Sequence, residues 1–180
     1  DRSSDDILYC EVERQLNTSF SRQSPQEGVV FAHRESLELL QNRYQTLLFV
    51  GIGNVLRTDD GAGVYISHRI TEQDHIKVLT VEVSIENYIQ KINSYHADNI
   101  ILIDSVNFNQ DPGYYSLVPV SELLDFTTNT HNISLRNISE FLSGNIYILG
   151  IQPETIKFGE GLTASVKKSA KEIIQLINSL

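Results

Sequence analysis

Residues 47–63 have the sequence LLFVGIGNVLRTDDGAG, and this segment decides the expected fold. The apolar beginning is typical of a buried strand, Gly51 and Gly53 indicate a turn, and a short polar loop leads into a helix. The loop places two adjacent carboxylates, Asp59 and Asp60, after the C-terminal end of the strand. In an open α/β sheet, ligands bind at that edge. The segment therefore predicts an acidic binding loop.

The glycines of this loop do not match a nucleotide-binding motif. A dinucleotide fingerprint requires G-x-G-x-x-G, but Leu56 occupies the third glycine position, and no Lys-Ser/Thr pair ends the loop as in a P-loop. Asp59 and Asp60 would also repel a phosphate, whereas they suit a cation. A second interpretation stays open, because either Asp could simply cap the helix that follows.

Composition limits the classes of protein to consider. The chain has 180 residues, of which 41% are hydrophobic, which is enough for one domain with a sizeable core. A net charge of −9 argues against nucleic acid or an anionic membrane as partner. There is no apolar run of about 20 residues, no signal-peptide pattern and only one cysteine, Cys10. We expect a cytoplasmic protein, acting as a monomer.

Strand and helix patterns alternate from residue 47 onwards. Predicted strands cover residues 47–52, 77–83, 99–103, 114–118 and 145–150, and predicted helices follow the acidic loop, span 85–95, and begin near 132 and 163. The turn at 111–113 and the short connection predict an antiparallel pairing of strand 114–118. The pattern predicts an α/β fold, a three-layer sandwich with a mostly parallel twisted sheet of about five strands, flanked by helices on both faces.

Residues 1–46 differ from the rest of the chain. They are polar and only weakly patterned, so we interpret them as an N-terminal extension and residues 47–180 as the functional domain. Short apolar pieces, among them Leu37, Leu39 and Leu40, are expected to dock on a sheet edge or a helix face. Alternatively, the extension contacts a partner.

Three polar residues are expected to meet at one edge of the sheet. Asp60 follows the first strand, Asp104 ends the apolar strand 99–103, and His131 opens a later helix. Two carboxylates and an imidazole are plausible ligands for a transition metal with open coordination positions. Each residue also has a structural interpretation, since Asp104 could cap a turn and His131 could lie on the surface of a helix.

At these positions the chain resembles the hydrogenase maturation proteases, nickel-dependent endopeptidases, and in particular the branch that serves formate-hydrogenlyase-type hydrogenases. The resemblance extends from about residue 47 to 175. Each motif alone is weak, but their order and spacing are specific. The shared motifs are GIGNVL (51–56), DDGAG (59–63), ENY (86–88), DSV (104–106), DPG (111–113), THNISL (130–135), GIQPE (150–154) and FGEGL (158–162).

The resemblance implies a defined proteolysis. Relatives remove a short C-terminal peptide from the large-subunit precursor of a nickel–iron hydrogenase after nickel insertion, with the substrate's nickel as the recognition element. The family's ligand trio corresponds to Asp60, Asp104 and His131, which would bind the nickel transiently and form the catalytic site. Peptide cleavage is then expected by water, assisted by the metal or by a carboxylate.

Two other functions are compatible with parts of this pattern. A phosphorylation-dependent receiver domain also has acidic residues after its first strand, but it requires a lysine at the end of a late strand, where residues 149–153 read LGIQP. A non-catalytic chaperone could bind the nickel-loaded precursor without cutting it. The sequence leaves this second alternative open.

Overall fold

The computed structural model describes residues 39–125 and 137–180. These residues belong to one compact unit. The strands are β1 (Leu47–Ile52), β2 (Ile76–Glu82), β3 (Asn99–Ser105), β4 (Tyr115–Pro119) and β5 (Asn145–Ile151). The α-helices within these ranges that we label are α1 (Ala62–Ser67), α2 (Ile89–Asn93) and α3 (Ala164–Asn178), and 3-10 helices span Thr58–Gly61, Ile85–Tyr88 and Val120–Asp125.

The five strands form one mixed sheet in the order β2-β1-β3-β5-β4. Strands β2, β1, β3 and β5 are parallel, and β4 runs antiparallel to β5. The predicted α/β class with a mostly parallel sheet is therefore confirmed. The antiparallel direction of β4 is also confirmed, although its partner is β5 and not β3, the preceding strand in the chain.

Apolar side chains cover both faces of the central strands. All six residues of β1 are buried, as expected for a parallel strand enclosed between two helical layers. On one face, Leu48 and Val50 pack in a core that includes Ile92 of α2 and Leu142. On the other face, α1 packs against β1, β3 and α3. These layers form the predicted three-layer sandwich.

The chain reverses its direction across the sheet between β1 and β3. From β1 it proceeds to β2 at one edge, whereas from β3 it proceeds to β4 and β5 on the other side. Such a point leaves a crevice at the carboxyl ends of the two strands, where open α/β sheets bind ligands. Asp60 follows β1, and Asp104 lies near the end of β3. The topology thus brings both residues to the switch point.

Several predicted elements differ in length or lie outside the described residues. The helix after the acidic loop ends at Ser67, although Ile70 is still buried. The predicted helix 85–95 is divided into a 3-10 turn and α2. Most of the extension 1–46 and the start of the helix predicted from about residue 132 are outside the described ranges. In the described part of the chain, no helix is long and apolar enough to cross a membrane.

Candidate active site

The loop after β1 turns sharply because of Gly53. Its φ of 133° lies in a region that side chains rarely adopt, and a Cβ there would overlap the carbonyl oxygen of Asp60. The Gly53 N–H donates to the Glu82 carbonyl at 3.0 Å, which ties the loop to the end of β2. Glycine at position 53 therefore allows two backbone segments to approach each other closely, and this approach sets the position of Asp60.

Asp60 and Asp104 are connected through Ser105. The Ser105 hydroxyl donates to Asp60 Oδ1 at 3.2 Å, and the Ser105 N–H donates to Asp104 Oδ1 at 2.8 Å. The Asn54 N–H donates to the other oxygen, Asp60 Oδ2, at 3.3 Å. These hydrogen bonds orient two carboxylates at the switch point. Ser105 belongs to the motif DSV (104–106), but no local pattern in the sequence indicates this role.

The two carboxylates influence each other electrostatically. Asp104 is only 9% exposed, and its pKa is raised from 3.8 to about 7, mainly because burial disfavours the charged form. The negative charge of Asp60 raises this pKa further, while the hydrogen bond from the Ser105 N–H lowers it. Near neutral pH, Asp104 can therefore both accept and donate a proton.

The donor set is compatible with a divalent cation. In residues 39–125 and 137–180, no lysine, arginine or histidine pairs with Asp60 or Asp104. A cation between the carboxylates would relieve the repulsion that raises the pKa of Asp104. The described residues contain no group of three potential metal ligands. His131, the third predicted ligand, lies outside the described residues.

Asp59 has a different environment from its neighbour. Its side chain is completely buried and accepts hydrogen bonds from the N–H groups of Glu154, Thr155 and Thr163, at 3.0, 3.2 and 2.7 Å. The Thr163 hydroxyl also donates to both Asp59 oxygens, at 3.1 and 2.9 Å. Asp59 therefore connects the acidic loop to the segment that precedes α3.

Neither aspartate caps either of the two helices at the acidic loop by a side-chain hydrogen bond. The N-cap of the 3-10 helix Thr58–Gly61 is Arg57, that of α1 is Gly61, and no side-chain capping bond is formed at either. The interpretation that either aspartate caps the following helix is therefore wrong. Sequence reasoning missed the function of Asp59, because its partners are about 100 residues away in the chain and no local pattern indicates them.

A second buried polar side chain organises the loop after β3. Gln152 Oε1 accepts hydrogen bonds from the N–H groups of Phe108, at 2.7 Å, and Gln110, at 3.3 Å. The Gln152 N–H donates to the Tyr114 carbonyl at 2.7 Å. Gln152 directly follows β5, so this residue holds the β3–β4 connection close to the end of β5. The sequence motif GIQPE contained Gln152 but indicated no role for it.

Solved structures share this fold. A NiFe hydrogenase maturation protease, HycI, from Thermococcus kodakarensis superimposes with a TM-score of 0.68 at 24% identity, covering 80% of this chain and 97% of that chain. The hydrogenase maturating endopeptidase HybD of Escherichia coli gives a TM-score of 0.63 at 20% identity, covering 73% and 89%. At these identities the likeness supports the fold.

Sequence comparisons identify the family. A protein of Methanocaldococcus jannaschii provisionally named a hydrogenase maturation protease is 27% identical over 164 residues, covering 80% of this chain and 95% of the relative. The hydrogenase 3 maturation protease of Escherichia coli K12 is 23% identical over 130 residues, covering 69% and 83%. The model of the family described as "Hydrogenase maturation protease" matches residues 64–180. The chain therefore belongs to the hydrogenase maturation protease family, as its sequence motifs predicted.

Proposed function

We propose that this protein is an endopeptidase that removes the C-terminal peptide of a nickel–iron hydrogenase large-subunit precursor after nickel insertion. The observation that carries the proposal is the pair Asp60 and Asp104, joined through Ser105 at the switch point of the sheet. Family membership supports a protease that acts on a hydrogenase precursor. The nickel dependence and the choice of peptide bond are parts of the proposal.

In this proposal, nickel belongs to the substrate. Asp60 and Asp104 supply carboxylate oxygens and His131 supplies an imidazole nitrogen, a ligand set that suits a divalent transition metal. The precursor would bring its nickel into this set, so that only a metal-loaded precursor is held in place for cleavage. The protease binds this nickel transiently and acts as a monomer.

Peptide hydrolysis then needs a water molecule and a proton acceptor. A carboxylate whose pKa is about 7 can take the proton of the attacking water and return it to the departing amide nitrogen. Asp104 has this property while it is not bound to the metal, mainly because it is buried and to a smaller extent because of the charge of Asp60. The alternative assistance, by the nickel itself, uses the same residues as ligands.

The proposal is tested with a purified precursor in nickel-loaded and nickel-free forms. We expect the protein to shorten only the nickel-loaded form, by one C-terminal peptide of defined mass in intact-protein mass spectrometry. Equal shortening of both forms would refute the role of nickel. If the protein binds the loaded precursor but leaves its mass unchanged, the non-catalytic chaperone is the correct interpretation.

A further inference from the structure

Exposed apolar side chains are concentrated on the side of the molecule that holds Asp60. Within the described residues, five large apolar side chains at the carboxyl edge are substantially exposed: Val55 at 49%, Leu56 at 48%, Val83 at 62%, Ile156 at 41% and Phe158 at 86%. We call this set the rim patch. Two further exposed side chains, Tyr44 and Phe141, lie near the amino ends of β1 and β5.

Backbone hydrogen bonds join the three segments that carry the rim patch. The Gly53 N–H donates to the Glu82 carbonyl at 3.0 Å, next to Val83. The Gly159 N–H donates to the Leu56 carbonyl at 2.9 Å, and the Thr58 N–H donates to the Gly159 carbonyl at 2.8 Å. The three segments are therefore held next to one another at this edge.

The rim patch is held in a fixed conformation. Hydrogen bonds to Asp59 hold segment 154–163 in place, and Arg57 Nε donates to the Ile156 carbonyl at 3.2 Å. Thr58 and Glu82 adopt positive φ angles of 47° and 53°, which persist only where surrounding contacts impose them. Ordered loops that present apolar groups to water are typical of a recognition surface, because a preorganised surface loses little entropy on binding.

We infer that the rim patch docks the hydrogenase large-subunit precursor, through apolar side chains next to its cleavage site. This inference rests on the proposed function. Val55, Leu56 and Asp60 belong to the same loop, so a polypeptide that places its scissile bond at Asp60 lies within reach of the patch. A membrane surface is a poor alternative occupant, since the protein carries a net charge of −9.

The matched pair Phe158→Ser and Phe141→Ser tests the inference. Both side chains are exposed, at 86% and 65%, but only Phe158 belongs to the rim patch. With the nickel-loaded precursor as substrate, Phe158→Ser should raise KM about tenfold and leave kcat within about twofold, because it removes binding that the ground state and the transition state share. Phe141→Ser should change neither constant.

Direct binding of the nickel-loaded precursor, followed by biolayer interferometry, separates this inference from the proposed function. If the wild-type protein shortens the precursor but Phe158→Ser does so with unchanged KM and Kd, the docking role is wrong. If the wild type binds without shortening and Phe158→Ser weakens that binding, the docking role stands and the endopeptidase is refuted. Absence of both binding and shortening overturns both. If the wild type is a dimer in light scattering and the only effect of Phe158→Ser is to make it a monomer, the docking role is wrong. The patch then binds a second copy of this chain.

Discussion

Asp59 and Asp60 are adjacent in the chain, yet they have different tasks. Asp59 is completely buried and satisfies backbone donors of segment 154–163, whereas Asp60 is half-buried and directs one oxygen to Ser105. The sequence predicted an acidic site here but could not separate the two residues. The difference depends on which long-range partners each side chain meets, and those partners are set by tertiary structure.

The raised pKa of Asp104 predicts a pH-dependent effect of Asp104→Asn on stability. Because folding raises this pKa from 3.8 to about 7, the folded protein favours the protonated form, and the resulting stabilisation is lost as pH rises through about 7. Asparagine mimics the protonated acid at every pH. In a chelator-containing buffer, Asp104→Asn should be more stable than the wild type by about 1–3 kcal/mol at pH 8 and nearly equal at pH 4.

Urea unfolding at the two pH values measures this difference. Glu160→Gln, at an exposed position after β5, is the control and should leave the pH dependence of stability unchanged. A gain for Asp104→Asn that is the same at pH 4 and pH 8 would contradict the electrostatic explanation.

At the level of elements, the strands were the most predictable part. Residues 47–52 and 100–103 are continuous apolar runs, and both lie in central parallel strands because both faces of those strands are covered. The partner of β4 was not predictable from the short turn before it. In the sheet β5 lies between β3 and β4, and this order depends on the arrangement of all five strands.

The segment between β5 and α3 depends on Asp59. Asp59→Ala would leave the partly buried N–H groups of Glu154, Thr155 and Thr163 without their acceptor, at a cost of about 2–4 kcal/mol. Hydrogen exchange should then become faster for the amides of residues 154–163, with little change in β1 and β3. Asp74→Ala, at an exposed position, should have no effect. Uniformly faster exchange throughout the sheet would show that Asp59 supports the whole fold and not this segment.

Another prediction concerns the stability of the glycine turn after β1. Gly53→Ala combines a φ of 133° with an overlap between its Cβ and the Asp60 carbonyl, so we expect a loss of about 2–4 kcal/mol in unfolding free energy. Gly161→Ala is a useful comparison. Its φ is also positive, at 82°, but a Cβ there would meet no atom within 4 Å, so the loss should be smaller. Equal losses would mean that conformation alone, without the close approach, explains Gly53.

At the scale of the whole molecule, residues before β1 also take part in the packed structure. The sequence predicts an extension over residues 1–46. Within it, Leu40 is only 5% exposed and lines one small cavity together with Phe49, Ile101 and Ile173. Arg43 also donates to the Leu180 carbonyl at 2.8 Å. The sequence suggested docking for several leucines but could not say which one enters the core.

Leu40→Ala should destabilise the protein by about 2–4 kcal/mol, because a buried leucine is replaced by a cavity. The exposed Tyr44→Ser should be neutral. Deletion of residues 1–44, which removes Leu40, should lower Tm while the processing activity of the folded fraction is retained. A deletion variant with unchanged Tm and no processing would instead assign this segment to substrate recognition.

In the proposed mechanism, Asp60, Asp104 and His131 together perform the cleavage. Processing of a nickel-loaded large-subunit precursor by Asp60→Asn and His131→Ala, compared with the wild type by mass spectrometry, tests it most directly. We predict that both variants keep the wild-type circular dichroism spectrum and unfolding midpoint but leave the precursor at full length. Removal of the C-terminal peptide by either variant at the wild-type rate would contradict the claim.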